Sequence, residues 1–388
     1  MSLLDEMERS YVGPRLYAEP EFTYLNRSGR LGLQKIREAL NDWYSHYPEE
    51  RRADLRGRFR STDDRNYRSA FFELLLHELL RRMGCRVQIH PVLADNVAHP
   101  DFLVECECHG QFYLEAVVVS GESEEETAAR SRMNTVYDAL NRFESPSFLI
   151  GMDVIGAPAT SPSAREIREF LTRKLAPLNP DEIAAVFERG GFRALPHWDY
   201  EHDGWRLSLF PIPKTPEQRK TAGVRPIAMQ FEEFRFVENQ VSIRNAVLQK
   251  ANQYGELDRP FVIALNDLAD LVDRDDVLNA LFGDEQFTFR RDLAAGHELG
   301  RAPNGAWTSP DGPRYTRVSG VLVASHLTPS SIPWASVCLY HNPWAAHPYN
   351  CALNRLHRAV RVTDTTLQFL DGDSLSSIFG LPADWPGQ

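Results

Sequence analysis

Lysine is scarce in this chain of 388 residues. Lysines account for only five of the 43 basic residues, and the others are arginines. The five lysines are Lys35, Lys174, Lys214, Lys220 and Lys250. An active site that needs an amine at a fixed position can therefore draw it from very few residues.

Cysteine is also rare, and long apolar runs are missing. The five cysteines, an odd count in a long chain, do not indicate a disulfide framework. The N-terminal segment MSLLDEMERSYVGPR has acidic residues where a signal peptide has its apolar stretch. No run approaches the roughly 18 apolar residues of a membrane helix. These absences predict a reducing, cytoplasmic setting and no membrane partner.

Net positive charge is missing as well. The formal net charge is −11, which argues against a non-specific polyanion-binding coat because phosphate affinity comes from clustered Lys and Arg. A nucleic-acid enzyme with a local basic groove around an acidic metal site stays compatible with this charge. The chain lacks a G-x-S-x-G elbow, a Walker A loop and a G-x-G-x-x-G loop, which disfavours an α/β hydrolase and the common nucleotide-binding folds.

Helical and strand-like segments alternate along the chain and predict an α/β fold, with one mixed β-sheet flanked by helices. The predicted parts are an N-terminal helical extension (1–66), a first part of the core (67–154), an insertion (155–240), a second part of the core (241–345) and a C-terminal tail region (346–388). The extension contains the arginine-rich segment EERRADLRGRFRSTDDRNYR. We expect an ion-paired, solvated helix face there, and a phosphate-contacting face is the alternative.

Three carboxylates carry the chemical signal. Glu73 interrupts the apolar helix NYRSAFFELLLHELLRRMG, Asp101 opens the first strand of a hairpin, and Glu115 lies on the returning strand. One carboxylate from a helix and two from neighbouring strands can converge on a hard divalent cation, and Mg²⁺ prefers oxygen ligands. Such a cation activates water and stabilises an in-line phosphate displacement. The sequence therefore predicts a Mg²⁺ or Mn²⁺ site.

The alternation of side chains along strands constrains this site. Asp101 and Glu115 share a face of the sheet only if odd residues pair with odd residues. A two-residue loop at 109–110 would pair 101 with 118 and put Glu115 on the wrong face. A three-residue loop over 108–110 would pair 101 with 117 and leave Glu115 one diagonal away. The metal hypothesis therefore predicts an odd loop or a bulge, which Gly110 makes feasible.

This order of motifs resembles the PD-(D/E)xK nuclease superfamily. Glu73 matches the helical carboxylate of that superfamily, Pro100 and Asp101 match its Pro-Asp element, and Glu115 matches the carboxylate of its last motif. The resemblance implies a restriction-endonuclease-like fold and metal-dependent hydrolysis of nucleic-acid phosphodiester bonds, with DNA favoured over RNA. It implies catalytic roles for these three carboxylates.

The resemblance covers roughly residues 68–120 and, more loosely, residues 241–266. A second likeness extends over the whole chain. The blocks FFELLLHELL, HPDFLV, LEAVVV and KANQYGELDRPFVIALN also resemble those of a group of uncharacterised bacterial proteins. That second likeness implies no activity.

The chain departs from the superfamily at one position. The superfamily has a lysine two residues after the last carboxylate, where this chain has Val117. That lysine positions or activates the attacking water and supports transition-state charge, and valine can do neither. In one explanation Lys250 supplies the amine from the helix before the strand RPFVIALN, with Lys214 as second choice. In the other, catalysis is lost and the chain binds nucleic acid or protein.

Two weaker signals accompany these residues. Gln249, Gln253 and Tyr254 are loosely similar to the Gln-x-x-x-Tyr element of RecB-like nucleases, with the spacing one residue off. Arg314 and Arg317 lie near a predicted strand start, where a phosphate contact and a purely structural loop are equally compatible with the sequence.

Overall fold

The computed structural model describes residues 2–93, 98–106, 110–220, 226–232, 239–269, 273–289, 297–361 and 367–387. The chain divides into two compact units. The first unit comprises Met1–Gly13, Pro20–Gly121 and Val237–Gln388, and the second comprises Pro14–Glu19 and Glu122–Phe236. The second unit is thus largely a single insertion into the first.

The helices follow the chain in this order: α1 (Glu21–Arg27), α2 (Leu31–His46), α3 (Glu49–Phe59), α4 (Asp64–Arg82), α5 (Glu124–Asn141), α6 (Ala164–Leu175), α7 (Pro180–Gly190), α8 (Asn239–Ala251), α9 (Arg274–Phe282) and α10 (Leu375–Phe379). The predicted helical extension corresponds to α1, α2 and α3. Across the residues that the structure describes, no helix is long and apolar enough to cross a membrane.

The strands are β1 (Cys85–Ile89), β2 (Phe102–Cys106), β3 (Gly110–Val119), β4 (Phe148–Ile155), β5 (Trp198–His202), β6 (Trp205–Pro213), β7 (Ile227–Glu232), β8 (Phe261–Asp267), β9 (Glu285–Phe289), β10 (His297–Arg301), β11 (Thr308–Ser309), β12 (Gly312–Pro313), β13 (Val318–Ser325), β14 (Ser336–His341), β15 (His357–Arg361) and β16 (Leu367–Leu370). The strands β9 and β10 form one separate pair, and β11 and β12 form another.

The first unit contains a sheet of eight strands in the order β1-β2-β3-β8-β13-β14-β15-β16. The neighbours β3 and β8, β8 and β13, and β14 and β15 run parallel, and the other neighbours run antiparallel. The helix α4 packs on one face of the sheet and α8 on the other, each over its own apolar cluster. The prediction of a mixed sheet flanked by helices is therefore confirmed. The predicted tail region supplies β15 and β16.

The helix α4 forms where the sequence is most apolar. Asp63 caps its N-terminus by accepting a hydrogen bond from the backbone N–H of Arg65, and most of its length is buried. The chain leaves the helix through Gly84, whose φ of +82° favours glycine. This buried helix carries Glu73.

The helix α8 and the strand β8 form one continuous crossover element. Every residue of β8 is buried, as expected for a central strand with parallel neighbours and both faces covered. The helix presents Ile243, Val247 and Ala251 to the same apolar cluster. It ends at Ala251. Because the helix lies over β3 and β8, side chains near its C-terminal end face those two strands.

The second unit contains the helices α5 to α7 and a four-stranded sheet in the order β5-β6-β4-β7. Ser123 and Glu126 form a capping box at the start of α5. The expectation that residues up to 154 belong to the core is wrong, because β4 pairs with β6 and β7 and not with the eight-stranded sheet. Lys214 also lies in this unit, where its ammonium donates to the carbonyl oxygen of Ser145 at 2.7 Å.

A disulfide joins Cys85 to Cys106, which the cysteine count did not predict. The two residues face each other in the antiparallel pairing of β1 and β2, with their Cα atoms 4.5 Å apart. That separation is within the range that a disulfide bridges. An odd number of cysteines in the chain does not exclude a disulfide between two cysteines that the strand register places opposite each other.

Candidate functional site

Asp101 and Glu115 lie opposite each other at the start of the β2–β3 hairpin. The register pairs Phe102 with Leu114, so one further step places Asp101 across from Glu115. The backbone N–H of Asp101 donates to Glu115 Oε2 at 3.1 Å, and the backbone N–H of Ala116 donates to Asp101 Oδ2 at 2.7 Å. The predicted pairing of odd with odd residues is confirmed. Glu115 is directly opposite Asp101 and not one diagonal away. Residues 107–109 lie outside the described residues.

Glu115 is a buried carboxylate with two side-chain donors from the region of α8. The ammonium of Lys250 lies 2.6 Å from Glu115 Oε1, and the hydroxyl of Tyr254 donates to Oε2 at 2.6 Å. The Glu115 side chain is 3% exposed and that of Lys250 is 22% exposed. Lys250 is in the last turn of α8 and Tyr254 lies just beyond the end of the helix, and both contact the same carboxylate.

The two carboxylates repel each other. Burial, and then the negative charge of Glu115, raise the pKa of Asp101 to about 7, while the Ala116 N–H and the Lys250 ammonium act in the opposite direction. Burial and the charge of Glu115 also raise the pKa of Tyr254 far above its usual range, so its hydroxyl stays a donor. Two carboxylates against one ammonium leave the site with an excess of negative charge.

Glu73 has partners of its own. The hydroxyl of Tyr47 donates to Glu73 Oε1 at 2.5 Å, and Arg58 Nη1 lies 2.7 Å from Oε2. Both partners come from the N-terminal extension. The charge of Glu73 also contributes to the raised pKa of Asp101, so the two groups are within electrostatic reach.

The structure does not gather the three predicted carboxylates into one ligand set. Across the described ranges, three or more candidate ligand atoms lie within 4.8 Å of one another only at Asp42, His46 and Glu78. Glu73 is expected from the sequence to bind the metal together with Asp101 and Glu115. The structure does not place it as a direct ligand, because Arg58 and Tyr47 hold its carboxylate.

The cluster of Asp42, His46 and Glu78 does not fit a cation. Glu78 is fully buried, and each of its oxygens lies 2.7 Å from a guanidinium nitrogen, one of Arg81 and one of Arg82. The two guanidinium groups more than balance this carboxylate, so a metal ion gains little there.

Three histidines surround the site. His77 follows Glu73 by one turn, packs its ring 4.9 Å from the ring of Tyr47, and has its pKa lowered to about 4 by burial. The Nδ1 atom of His90 lies 4.0 Å from Asp101 Oδ1. The carbonyl oxygen of His99 lies 3.0 Å from the Tyr254 hydroxyl. His77 is therefore a neutral packing residue, and the other two histidines border the carboxylate pair.

The arginines of the segment after α2 mostly bond within the protein. Arg58 pairs with Glu73 and Asp54, whereas Arg60 pairs with Asp5 and Arg68 with Glu21. These contacts fit the expected ion-paired face and leave little support for a phosphate-contacting face.

Sequence reasoning missed two residues of this region. Tyr47 and Arg58 contact Glu73 from 26 and 15 residues upstream, and no motif marked either of them. Tyr254 had only the weak Gln-x-x-x-Tyr likeness as a signal. Comparison with protein-family models, curated proteins and solved structures finds no match to this chain.

Proposed function

We propose that the chain is a divalent-metal-dependent nuclease of restriction-endonuclease-like type that hydrolyses nucleic-acid phosphodiester bonds, with DNA favoured over RNA. The observation that carries this proposal is the position of Lys250. Its ammonium lies 2.6 Å from Glu115, in a pocket whose strand has Val117 where the superfamily has lysine. Two carboxylates and an amine, the minimum set that the resemblance calls for, are thereby together.

The donor set fits a hard cation. Asp101 and Glu115 offer carboxylate oxygens, and the raised pKa of Asp101 reflects burial and then repulsion by Glu115, which a cation would relieve. These two residues would hold Mg²⁺ or Mn²⁺. When bound, the ion would supply an activated water and charge stabilisation at the phosphate.

The side chains around the pair have separable roles. Tyr254 and the backbone N–H of Asp101 both donate to Glu115 Oε2 and fix the plane of that carboxylate. Lys250 contacts the other oxygen and is partly exposed, so its ammonium can also donate to a water or to a phosphate oxygen. Glu73, held by Arg58, adds negative charge near Asp101 and strengthens its preference for a cation.

A panel of metals and substrates tests this proposal. Single-stranded and duplex DNA and RNA would be incubated with Mg²⁺, Mn²⁺, Ca²⁺ or EDTA, for the wild type and for Asp101→Ala. We expect cleavage by the wild type with Mg²⁺ or Mn²⁺ alone, and none by a folded Asp101→Ala variant. Undiminished cleavage by that variant would contradict the assignment.

The second candidate is a catalytically inactive protein of the same fold that binds nucleic acid or protein. The engagement of Glu73 by Arg58 and Tyr47 favours it, as do Val117 and the net charge of −11. The same panel separates the two, because an inactive protein of this fold cleaves nucleic acid with none of the metals.

A further inference from the structure

We propose that a row of arginines and tyrosines beside the carboxylate pair binds single-stranded nucleic acid and leads it to the site. This row, called the arginine rim below, consists of Tyr113, Arg259, Arg314, Tyr315 and Arg317. The proposal rests on the proposed nuclease function and names the form of its substrate.

The sheet register places the arginine rim at one end of three interior strands of the eight-stranded sheet, β3, β8 and β13. Tyr113 and Val318 both pair with Phe261, the first residue of β8. Arg259 lies two residues before the start of β8, and Arg317 immediately precedes β13. Tyr113 precedes Glu115 by two residues on the same face of β3, a distance of roughly 7 Å along the strand. The rim therefore begins beside the carboxylate pair and crosses three neighbouring strands.

Each arginine of the rim contacts an aromatic ring. The guanidinium of Arg259 lies 5.7 Å from the ring centroid of Tyr113 and donates to its hydroxyl at 2.9 Å. The guanidinium groups of Arg314 and Arg317 lie 5.5 and 5.7 Å from the ring centroid of Tyr315. These contacts hold flexible side chains in place, so less freedom is lost when a ligand binds.

The charges of Arg314 and Arg317 are not neutralised by the hydrogen-bond acceptors that these two side chains contact. Arg314 Nη2 donates to the carbonyl oxygen of Gly305 at 2.7 Å, and Arg317 Nη2 donates to the side-chain oxygen of Asn252 at 3.3 Å. Both acceptors are uncharged, in contrast to the carboxylates that pair with the arginines near α3.

The third arginine of the rim does have an acidic partner. Arg259 Nη1 lies 2.7 Å from a carboxylate oxygen of Asp258. The rim is thus a local basic strip on a chain with a net charge of −11, and Lys250 adds a further cation beside Glu115. Its charge complements a polyanion.

One more pair of a guanidinium group and an aromatic ring, Arg361 and Trp344, lies at the same end of the sheet beyond the rim. The guanidinium of Arg361, the last residue of β15, lies 4.5 Å from the ring centroid of Trp344, which follows β14. His341, near the end of β14, pairs with Gly320 near the start of β13, so this pair lies at the same end of the sheet as Tyr315. The rim and this pair together cross five neighbouring strands from β3 to β15, roughly 19 Å at the usual spacing of strands.

The alternation of guanidinium groups with rings fits a single strand. Arginines contact the backbone phosphates, and bases stack on the half-buried ring of Tyr315 or on guanidinium planes. Tyr113 is buried, so its ring holds Arg259 in place and is not itself a stacking surface. A duplex hides its base faces and offers only phosphates, so the ring of Tyr315 would have no partner there.

Fluorescence anisotropy tests this proposal. The probes are a labelled oligothymidylate and its duplex with oligoadenylate, in EDTA so that no metal-dependent hydrolysis occurs, over a series of salt concentrations. We expect the single strand to bind more tightly, and Arg314→Gln/Arg317→Gln to reduce the slope of log K against log salt by about 1.4, or about 0.7 per lost contact. Tyr315→Ala should weaken binding roughly tenfold, and Tyr315→Phe should stay within about twofold of the wild type.

Two controls keep the test decisive. Arg317→Lys preserves the charge and should keep the wild-type slope, whereas Arg317→Gln should lower it, which separates charge from folding if the double variant does not fold. Arg165→Gln, on α6 of the second unit, removes an exposed arginine and should leave the slope unchanged.

Three outcomes would count against the proposals, and they are distinguishable. A wild type that binds no single strand in EDTA overturns the rim, whereas the proposed function is decided separately by cleavage in the panel of metals. A wild type that binds, with an unchanged slope in the arginine variants, overturns the rim alone. Tighter binding of the duplex than of the single strand overturns the single-strand assignment.

Discussion

The ammonium of Lys250 lies 2.6 Å from the carboxylate of Glu115, although 135 residues separate them in the sequence. The sheet explains this contact. The strands β3 and β8 are parallel neighbours, with Glu115 paired to Ile263, and α8 precedes β8. A helix that leads into a parallel strand must pass back over that strand and its neighbour. The crossover thus brings an amine to a strand that has Val117 in place of lysine.

Removal of this amine should reduce nuclease activity. We expect Lys250→Met to lower kcat by roughly 10²–10⁴-fold, because the ammonium would no longer orient water or support charge at the phosphate. Lys250→Arg should retain part of the activity, since it keeps the positive charge. Steady-state cleavage of an oligonucleotide measures the effect. Lys174→Met, on the surface of α6, is the matched control, and an equal loss in that variant would argue against a specific role.

A lysine introduced at position 117 of β3 should compensate for the loss of the Lys250 amine. Val117 follows Glu115 by two residues on the same face of β3, so Val117→Lys reaches the same carboxylates. In the Lys250→Met background we expect it to recover at least about tenfold of the lost activity. Val119→Lys lies on the same face two residues further on and should recover nothing. A folded Val117→Lys/Lys250→Met protein no more active than Lys250→Met would contradict this geometry.

The raised pKa of Asp101 predicts a particular dependence of stability on pH without metal. The folded protein keeps the Asp101 proton up to about pH 7, whereas an unperturbed aspartate loses it near 3.8. Because Asp101 binds more protons in the folded state between these values, its contribution to the free energy of unfolding should fall as pH rises through this window. We expect a change on the order of 1–3 kcal/mol, measured by urea unfolding, and a flatter profile for Asp101→Asn.

A divalent metal ion should stabilise the folded protein at neutral pH, where the ionised Asp101 is destabilising. Mg²⁺ that binds the carboxylate pair should raise the midpoint of thermal unfolding of the wild type at neutral pH, because it binds the folded state alone. Asp101→Asn should gain little. Equal stabilisation of both proteins by Mg²⁺ would show that the ion binds elsewhere.

The ion pair of Glu73 and Arg58 should be costly to break from one side. Arg58→Met leaves the Glu73 carboxylate buried without a cation, and we expect a loss of about 3 kcal/mol in the free energy of unfolding. The double variant Arg58→Met/Glu73→Gln should lose less than the sum of the single variants, which a double-mutant cycle measures. The exposed pair of Arg165 and Glu169 is the control, and Arg165→Met should change stability little.

His77 should make the protein sensitive to acid. Burial lowers its pKa to about 4, so between pH 4 and about 6.5 the unfolded chain takes up a proton that the folded protein does not. The contribution of His77 to stability should therefore fall as pH falls through this window, by up to about 3 kcal/mol, opposite in sign to the contribution of Asp101 over the same pH range. His77→Leu should remove this dependence in urea unfolding, whereas His347→Leu, at an exposed position, should keep it. An unchanged acid profile in His77→Leu would contradict the prediction.

Short-range patterns made much of the fold predictable. The apolar spacing identified α4 and α8, and strand alternation identified the hairpin and the parity that places Asp101 with Glu115. Lys250 followed from chemistry, because few lysines exist to supply an amine.

The missed features depend on contacts between distant segments. Tyr47 and Arg58 reach Glu73 only because α2 and α3 pack on α4. The disulfide depends on the register of β1 with β2, and β4 joins the second sheet through β6 and β7. Neither periodicity nor composition records which strands become neighbours, since that choice is made by packing of the whole chain.

The insertion of the second unit between β3 and α8 also has a consequence for biosynthesis. Glu115 leaves the ribosome long before Lys250, because 135 residues lie between them. At about 5–20 residues per second, the interval is roughly 7–27 s. The carboxylate pair and its hairpin can form during this time, but the amine cannot yet be present. A nascent chain therefore passes through synthesis with its proposed catalytic set incomplete and becomes competent only after the whole insertion has been made.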